Sequence, residues 1–215
     1  MPKHSFLHKL VVSILLIAGF LPVLYFASIE IGIAEAEAEP TTSQDAMPVS
    51  DRYVENVAFG VGEHLSFDID FGFINAGHAT MQVQRLVEWQ GRPAYQIVTT
   101  ANSNRFFSAI YNVEDRAESI IDAVGLFSWR FEKKLSEGSY ESHRQYEFDQ
   151  RAHTVDYADS VYHVAPFVQD ALSALYYART QPLEIGSTIE IDNFIDGRIN
   201  RLEIKVLERE TVKVD

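Results

Sequence analysis

From His64 to Phe73 the chain reads "HLSFDIDFGF", with an apolar residue at every second position. Leu65, Phe67, Ile69, Phe71 and Phe73 point one way, while Ser66, Asp68, Asp70 and Gly72 point the other. A helix cannot sort residues with that period, so the segment is a strand with one face in a core and one in water. "INAG" follows, with Asn75 and Gly77 as reversal residues, and Ala79, Met81 and Val83 resume the alternation. Matching the apolar faces across that reversal sets Phe71 opposite Ala79 or Met81. Asp70 then faces Thr80 or Gln82, and Asp68 faces Gln82 or Gln84.

The same period runs through most of the remaining chain. "WQGRP" turns into the strand "AYQIVTTA", and "SNRFFSAIYN" reads as one helical turn ahead of the strand "YNVEDRAESII". "SWRFEKKL" and "SYESHRQYEFD" alternate on either side of "SEGS", with Tyr140, Ser142, Arg144, Tyr146 and Phe148 on one face. "HTVDYA" and "VYHVA" follow the turn "DQRA". Asp196-Gly197, set between two alternating runs, is a two-residue hairpin signal. The one convincing helix of this region lies near 168–179. Asp170 is its N-cap, Leu172, Leu175, Tyr176 and Arg179 recur at helical spacing, and Pro182 closes it. Strands joined by a few residues pair antiparallel. The predicted fold is therefore all-β, a curved antiparallel meander that closes as a barrel or folds over as a sandwich. Its concave apolar face is expected to form one core and to offer an apolar ligand cavity.

The first part of the chain has a different character. Lys3 and Lys9 precede an uncharged stretch from Leu10 to Ser28, and small residues alternate in "GIAEAEAEP". This describes a signal peptide over residues 1–38, with cleavage after Ala34, Ala36 or Ala38. The apolar stretch is also close to the length that spans a bilayer, so a retained anchor is the competing reading. The two readings place the remainder outside the cytoplasm, exported or anchored, which in a bacterial cell is the periplasm or the periplasmic side of the inner membrane. Residues 39–58, polar and holding Pro40 and Pro48, read as a flexible linker, and 59–215 as a single β-rich domain. "TVKVD" falls in the middle of a predicted strand, so the domain is expected to continue, or to have that edge completed by a partner.

Composition narrows the chemistry. The chain has no cysteine, which excludes disulfides, thiolate metal sites and a cysteine nucleophile. A net charge of −13 argues against nucleic acid and against docking on anionic lipid, leaving membrane contact only to an uncleaved N-terminal segment.

"DID", with His64 before it and His78 after it, has the residue types of a metal or acid/base site. In the predicted hairpin His78 sits at the turn, too far along to share a ligand with Asp68, and His64 lies at the opposite end. A solvated outer face is the simpler reading. His143, His153 and His163 complete no metal motif, and pairing Phe148 with His153 sets His143 opposite Ala158. Ser173 lies inside the predicted helix, and Ser103 and Ser108 lack a glycine elbow. No phosphate-binding glycine loop is present. Two acids distant in sequence suffice for a glycosidase, and the 31 acidic residues offer too many candidates to choose between. No catalytic, cofactor-binding or metal residue is therefore assigned, and no cofactor. The aromatic clusters "RFFSAIY" at 105–111 and "LYY" at 175–177 either pack a core or contact a sugar or lipid.

Two motifs carry a family resemblance. Gly62-Glu63-His64-Leu65-Ser66-Phe67 with Ala76-Gly77-His78-Ala79 resembles a "GE-x-L-x-F/Y … AG-x-A" opening. Asp170 to Arg179, followed by Leu183 to Gly186, resembles a "D-x-LSALYY-x-R … L-x-x-G" helix. Together they resemble the bacterial exported family catalogued as domain of unknown function 3108, over roughly Phe59 to the end. The resemblance implies a β-rich, barrel-like envelope domain with further strands beyond Asp215, and no activity or catalytic residue to carry over. The leading expectation is non-enzymatic binding of an apolar or amphipathic envelope component (lipid, glycan or protein) on the concave face. A periplasmic glycan or ester hydrolase using dispersed carboxylates, and an assembly protein pairing through its sheet edge, are the alternatives.

Overall fold

The computed structural model describes residues 33–35, 52–71 and 73–208. The expected signal segment up to residue 32, residues 36–51 and "TVKVD" lie outside them.

Eight strands form one antiparallel sheet in strict chain order. They are β2 (His64–Phe71), β3 (Ile74–Trp89), β4 (Arg92–Ser103), β5 (Glu114–Asp122), β6 (Ser128–Glu137), β7 (Tyr140–Asp149), β8 (Thr154–Tyr157) and β9 (Ser160–His163). Helix α1 (Arg105–Ser108) lies between β4 and β5, and α2 (Ala171–Ala178) follows β9. A hairpin of β10 (Thr188–Ile195) and β11 (Arg198–Lys205) completes a second sheet with β1 (Ile33–Glu35), which pairs with β11.

The turns follow backbone chemistry. Gln90 and Gly91 both take positive φ between β3 and β4, as do Asp196 and Gly197 between β10 and β11, the geometry of a tight hairpin that follows strand twist. Asp170 caps α2 as expected: its carboxylate accepts from the N–H groups of Leu172 and Ser173, and Ser173 Oγ accepts from the Asp170 N–H. The helix is buried nearly all round, more than a one-sided apolar stripe requires.

The expected all-β antiparallel meander is found, and of its two expected forms the barrel is not the one adopted, because β9 has no pairing with β2 among the described residues. The four-residue β8 and β9 are too short to carry the sheet round, and α2 with the β10–β11 hairpin cover the inner face instead. The result is the two-layer, sandwich-like alternative. The first hairpin also turns earlier than its sequence suggests. Phe71 pairs with Ile74, so "INAG" already belongs to β3, Phe67 faces Ala79, and Asp68 faces His78. Gly77 is not a turn glycine. A Cβ at that position would run into the carbonyl of Asn102 on β4, so the residue is small because two strands crowd there. Likewise Phe148 pairs with Val155 and not with His153, and β8 ends before reaching the level of His143.

The inner face is filled by the chain itself. Met81, Ile97, Phe131, Tyr146 and Phe148 of the large sheet meet Leu172, Leu175 and Tyr176 of α2, with Ile191, Phe194 and Leu202 of the hairpin. Phe194 alone touches the rings of Tyr146, Phe148, Tyr157 and Tyr162. The concave face, expected to offer an apolar cavity, is thus covered by side chains among the described residues.

Candidate functional site

The residues that drew attention in sequence are dispersed. Asp68 and His78 do face each other across β2 and β3, closer than the predicted hairpin allowed, but both are exposed and no hydrogen bond joins them. His64 lies at the other end of β2. His143 contacts Glu132 at 2.7 Å on the outer face, while His153 sits in the turn before β8 and His163 ends β9. Among the described residues no three histidines or acids gather to hold a metal. Ser173 serves the helix cap, and the Ser103 and Ser108 hydroxyls bond each other at 2.7 Å, with Ser103 Oγ also accepting the Val113 N–H. These two serines brace the connection through α1.

Three polar clusters tie the layers together, two buried or nearly so and the third, around Asp196, partly open to solvent. Arg179 makes two bonds to Glu63, at 2.6 and 2.7 Å, and lies over the rings of Phe59 and Tyr176. The Gly-Glu opening and the helix motif, far apart in sequence, therefore meet as one ion pair. The cap residue Asp170 also accepts from Ser119 and Ser128, clamping α2 to β5 and β6. Burial pushes its carboxyl up, and those four donors oppose the rise. Asp196, at the tip of the second hairpin, accepts from Tyr146 at 2.5 Å, Arg144 at 2.6 Å and Lys133 at 3.0 Å. Burial alone would raise its pKa, but those three donors hold it below the usual carboxylate range. Each cluster docks one element on another.

The opposite holds at one end of the meander. The β2–β3 turn, the α1 connection and the β6–β7 turn all lie there, because successive reversals of a meander alternate between its two ends. Asn104 caps α1, and its backbone N–H bonds the Ala76 carbonyl of β3. On the other side, the Gly138 N–H bonds the Asn112 carbonyl, and the Tyr111 ring lies against Gly138. The α1 connection therefore bridges the two turns. Along this bridge stand Phe73, Ile74, Phe106, Ile110, Tyr111 and Tyr140, all exposed; Phe106 is 65 % and Ile110 75 % exposed. Of the two aromatic clusters picked out in sequence, "LYY" supplies Leu175 and Tyr176 to the core, whereas "RFFSAIY" supplies this rim.

Beneath the rim lies a pair of acids that sequence reading could not connect. Asp115 opens β5 and Glu137 ends β6; the Asp115–Leu135 and Val113–Glu137 levels are adjacent, so both acids point to the inner face. They are only 2 % and 5 % exposed. Asp115 Oδ1 accepts the Ser136 N–H at 2.9 Å, but Asp115 Oδ2 and Glu137 Oε1 lack a donor among the described residues. A proton on either carboxyl would supply the donor that this pair lacks. Burial, then the neighbouring Glu137, pushes Asp115 up to about 7, and burial also raises Glu137. Glycosidase acids stand roughly 5–10 Å apart, with substrate or water between them. Asp115 and Glu137 are buried neighbours and are not among the residues that line the groove beside them.

Just outside the pair, a shallow open groove of about 310 Å³ is lined by Glu114, Lys134, Ser136, Glu141 and His143 among others. Glu132 already engages both of its basic groups, Lys134 at 3.0 Å and His143 at 2.7 Å.

Fold and site together define a two-layer β domain with a filled interior and one unfinished, apolar end. Residues 66–215 match the family described as "Protein of unknown function (DUF3108)", and the chain belongs to that family. Neither a curated protein nor a solved structure matches it.

Proposed function

We propose that this domain is a non-catalytic binding module of the bacterial cell envelope that docks an amphipathic component on the rim formed by Phe73, Ile74, Phe106, Ile110, Tyr111 and Tyr140. The observation that carries the reading is their convergence on one end of the sheet. Scattered exposed apolar residues need no explanation, but six gathered at the connections at one end of the sheet call for one. The filled inner face moves the binding surface outward, from the concave side to the rim. Export through the N-terminal segment would bring the domain to the periplasm, where envelope lipids, glycans and proteins are available.

Native mass spectrometry of the protein recovered from a periplasmic fraction tests this reading. Wild type is expected to carry a bound species that Phe106→Ser with Ile110→Ser loses, while the unfolding midpoint stays unchanged. A species retained by both proteins, or found on neither, would count against the rim.

A further inference from the structure

The charges around the rim distinguish one class of partner from the rest. Asp70, Glu114 and Glu141 flank the apolar residues and are exposed. Their bonds go to neutral groups: Asp70 to Asn75 at 3.4 Å, Glu114 to Asn112 at 3.2 Å, and Glu141 to Ser136 at 2.7 Å. None of the three has an ion pair among the described residues. Other acids of the sheet are divided: Glu118 is paired with Arg116, Glu132 with Arg130 and Lys134, Glu147 with Arg130, and Asp122 with Arg92, while Asp68, Glu88 and Asp156 also have no ion pair among the described residues. Arg105 is the one basic side chain on the α1 connection itself. Within the groove, Lys134 is paired with Glu132, whereas Glu114 and Glu141, on either side of Ser136, have no ion pair among the described residues.

We infer that the occupant of the rim is a basic amphipathic segment of a partner protein, its apolar side chains on Phe73, Ile74, Phe106, Ile110 and Tyr140 and a lysine or arginine in the groove between Glu114 and Glu141. The inference rests on the rim being the binding surface and adds the sign of the partner. An apolar surface alone would accept a lipid as readily. Unpaired carboxylates around it repel anionic headgroups and attract an ammonium or guanidinium, for which two acids beside a hydroxyl make a matching receptor. The surplus of acid over base in the whole chain adds long-range attraction for the same partner.

The test titrates the full chain with a synthetic leucine–lysine amphipathic peptide, and separately with phosphatidylglycerol vesicles, at about 0.05 and about 0.5 M salt. Wild type is expected to bind the peptide and not the vesicles. Peptide affinity should fall on the order of tenfold in D70N/E114Q/E141Q and at high salt. A charge-matched control, E55Q/E88Q/E184Q, alters exposed acids away from the rim and should leave the affinity at low salt within about twofold. The substitution F106S/I110S should abolish binding. Loss in F106S/I110S with no effect of the rim acids overturns the basic partner but leaves the rim standing. Equal losses in the rim and control charge variants reveal a non-specific attraction and overturn the inference. So does tighter binding to vesicles, or no binding of peptide to wild type.

Discussion

Strand β5 begins with Asp115 and ends with Asp122, and the two aspartates occupy opposite worlds. Asp122 accepts two bonds from Arg92, at 2.5 and 2.9 Å, two from the N–H groups of Val124 and Gly125, and one from Trp129 Nε1. Burial would raise its pKa, but Arg92 and the two backbone donors outweigh it and hold the carboxyl below its usual range. Asp115 has one backbone donor, an acid for a neighbour, and a pKa raised to about 7. Around Asp122 the aromatics Phe127 and Trp129 are wholly buried, whereas around Asp115 they stand in solvent. One end of the sheet is finished and the other is not. Buried polar atoms without a partner among the described residues also occur elsewhere, at Trp89 Nε1 and Gln169 Oε1 among others, but only at the Asp115 end do two such atoms belong to neighbouring acids beneath exposed aromatic rings.

The largest expected effect lies at the finished end. Arg92→Ala leaves Asp122 buried without its cation and should cost about 3–5 kcal/mol, read from denaturant midpoints. Asp115→Asn, at the same depth in the same strand, should cost far less at pH 7 and can stabilise above it. Equal penalties for the two would erase the contrast.

Next comes pH. Because the folded-state pKa of Asp115 is raised, the native state holds more protons than the unfolded chain between about pH 4 and about pH 7. Stability from this group is therefore full below pH 4 and lost as pH rises towards 7, on the order of 1–3 kcal/mol. Asp122 has a lowered pKa and acts in the other direction, its contribution being lost only as pH falls below the ordinary carboxylate range. Urea midpoints from pH 4 to 8 should show a decline that Asp115→Asn removes. A profile unchanged by that substitution would mean that the pair does not hold that proton.

The smallest effect separates the two aromatic clusters. Tyr176→Ala should cost about 3–5 kcal/mol because it empties a core position, whereas Phe106→Ser should change stability by less than about 0.5 kcal/mol. A large loss from Phe106→Ser would make the rim a part of the core.

What the sequence discloses here depends on how local the cause is. The strand period, the Asp196-Gly197 turn and the Asp170 cap each arise from a few neighbouring residues, and each is found where its pattern lies. The first hairpin misleads because Gly77 looks like a turn residue, while the actual reason for a glycine is the approach of Asn102 from another strand. Closure fails for a related reason: nothing in "HTVDYA" or "VYHVA" says that α2 and a second hairpin will take the inner face. The Asp115–Glu137 pair is invisible before β5 and β6 are in register, and the meeting of Glu63 with Arg179 likewise needs the fold. "RFFSAIY" and "LYY" are equally aromatic as strings. Only their places, one on an end connection and one in a buried helix, tell them apart.

The contrast between the ends can be read residue by residue in one experiment, an amide chemical-shift map of the full chain titrated with the leucine–lysine peptide. The account predicts that the shifts concentrate on Phe73 to Asn75, Phe106 to Glu114 and Gly138 to Glu141, with Arg92, Asp122 and Trp129 unmoved. Shifts centred on the Asp122 end, or spread evenly over the outer face, would contradict it.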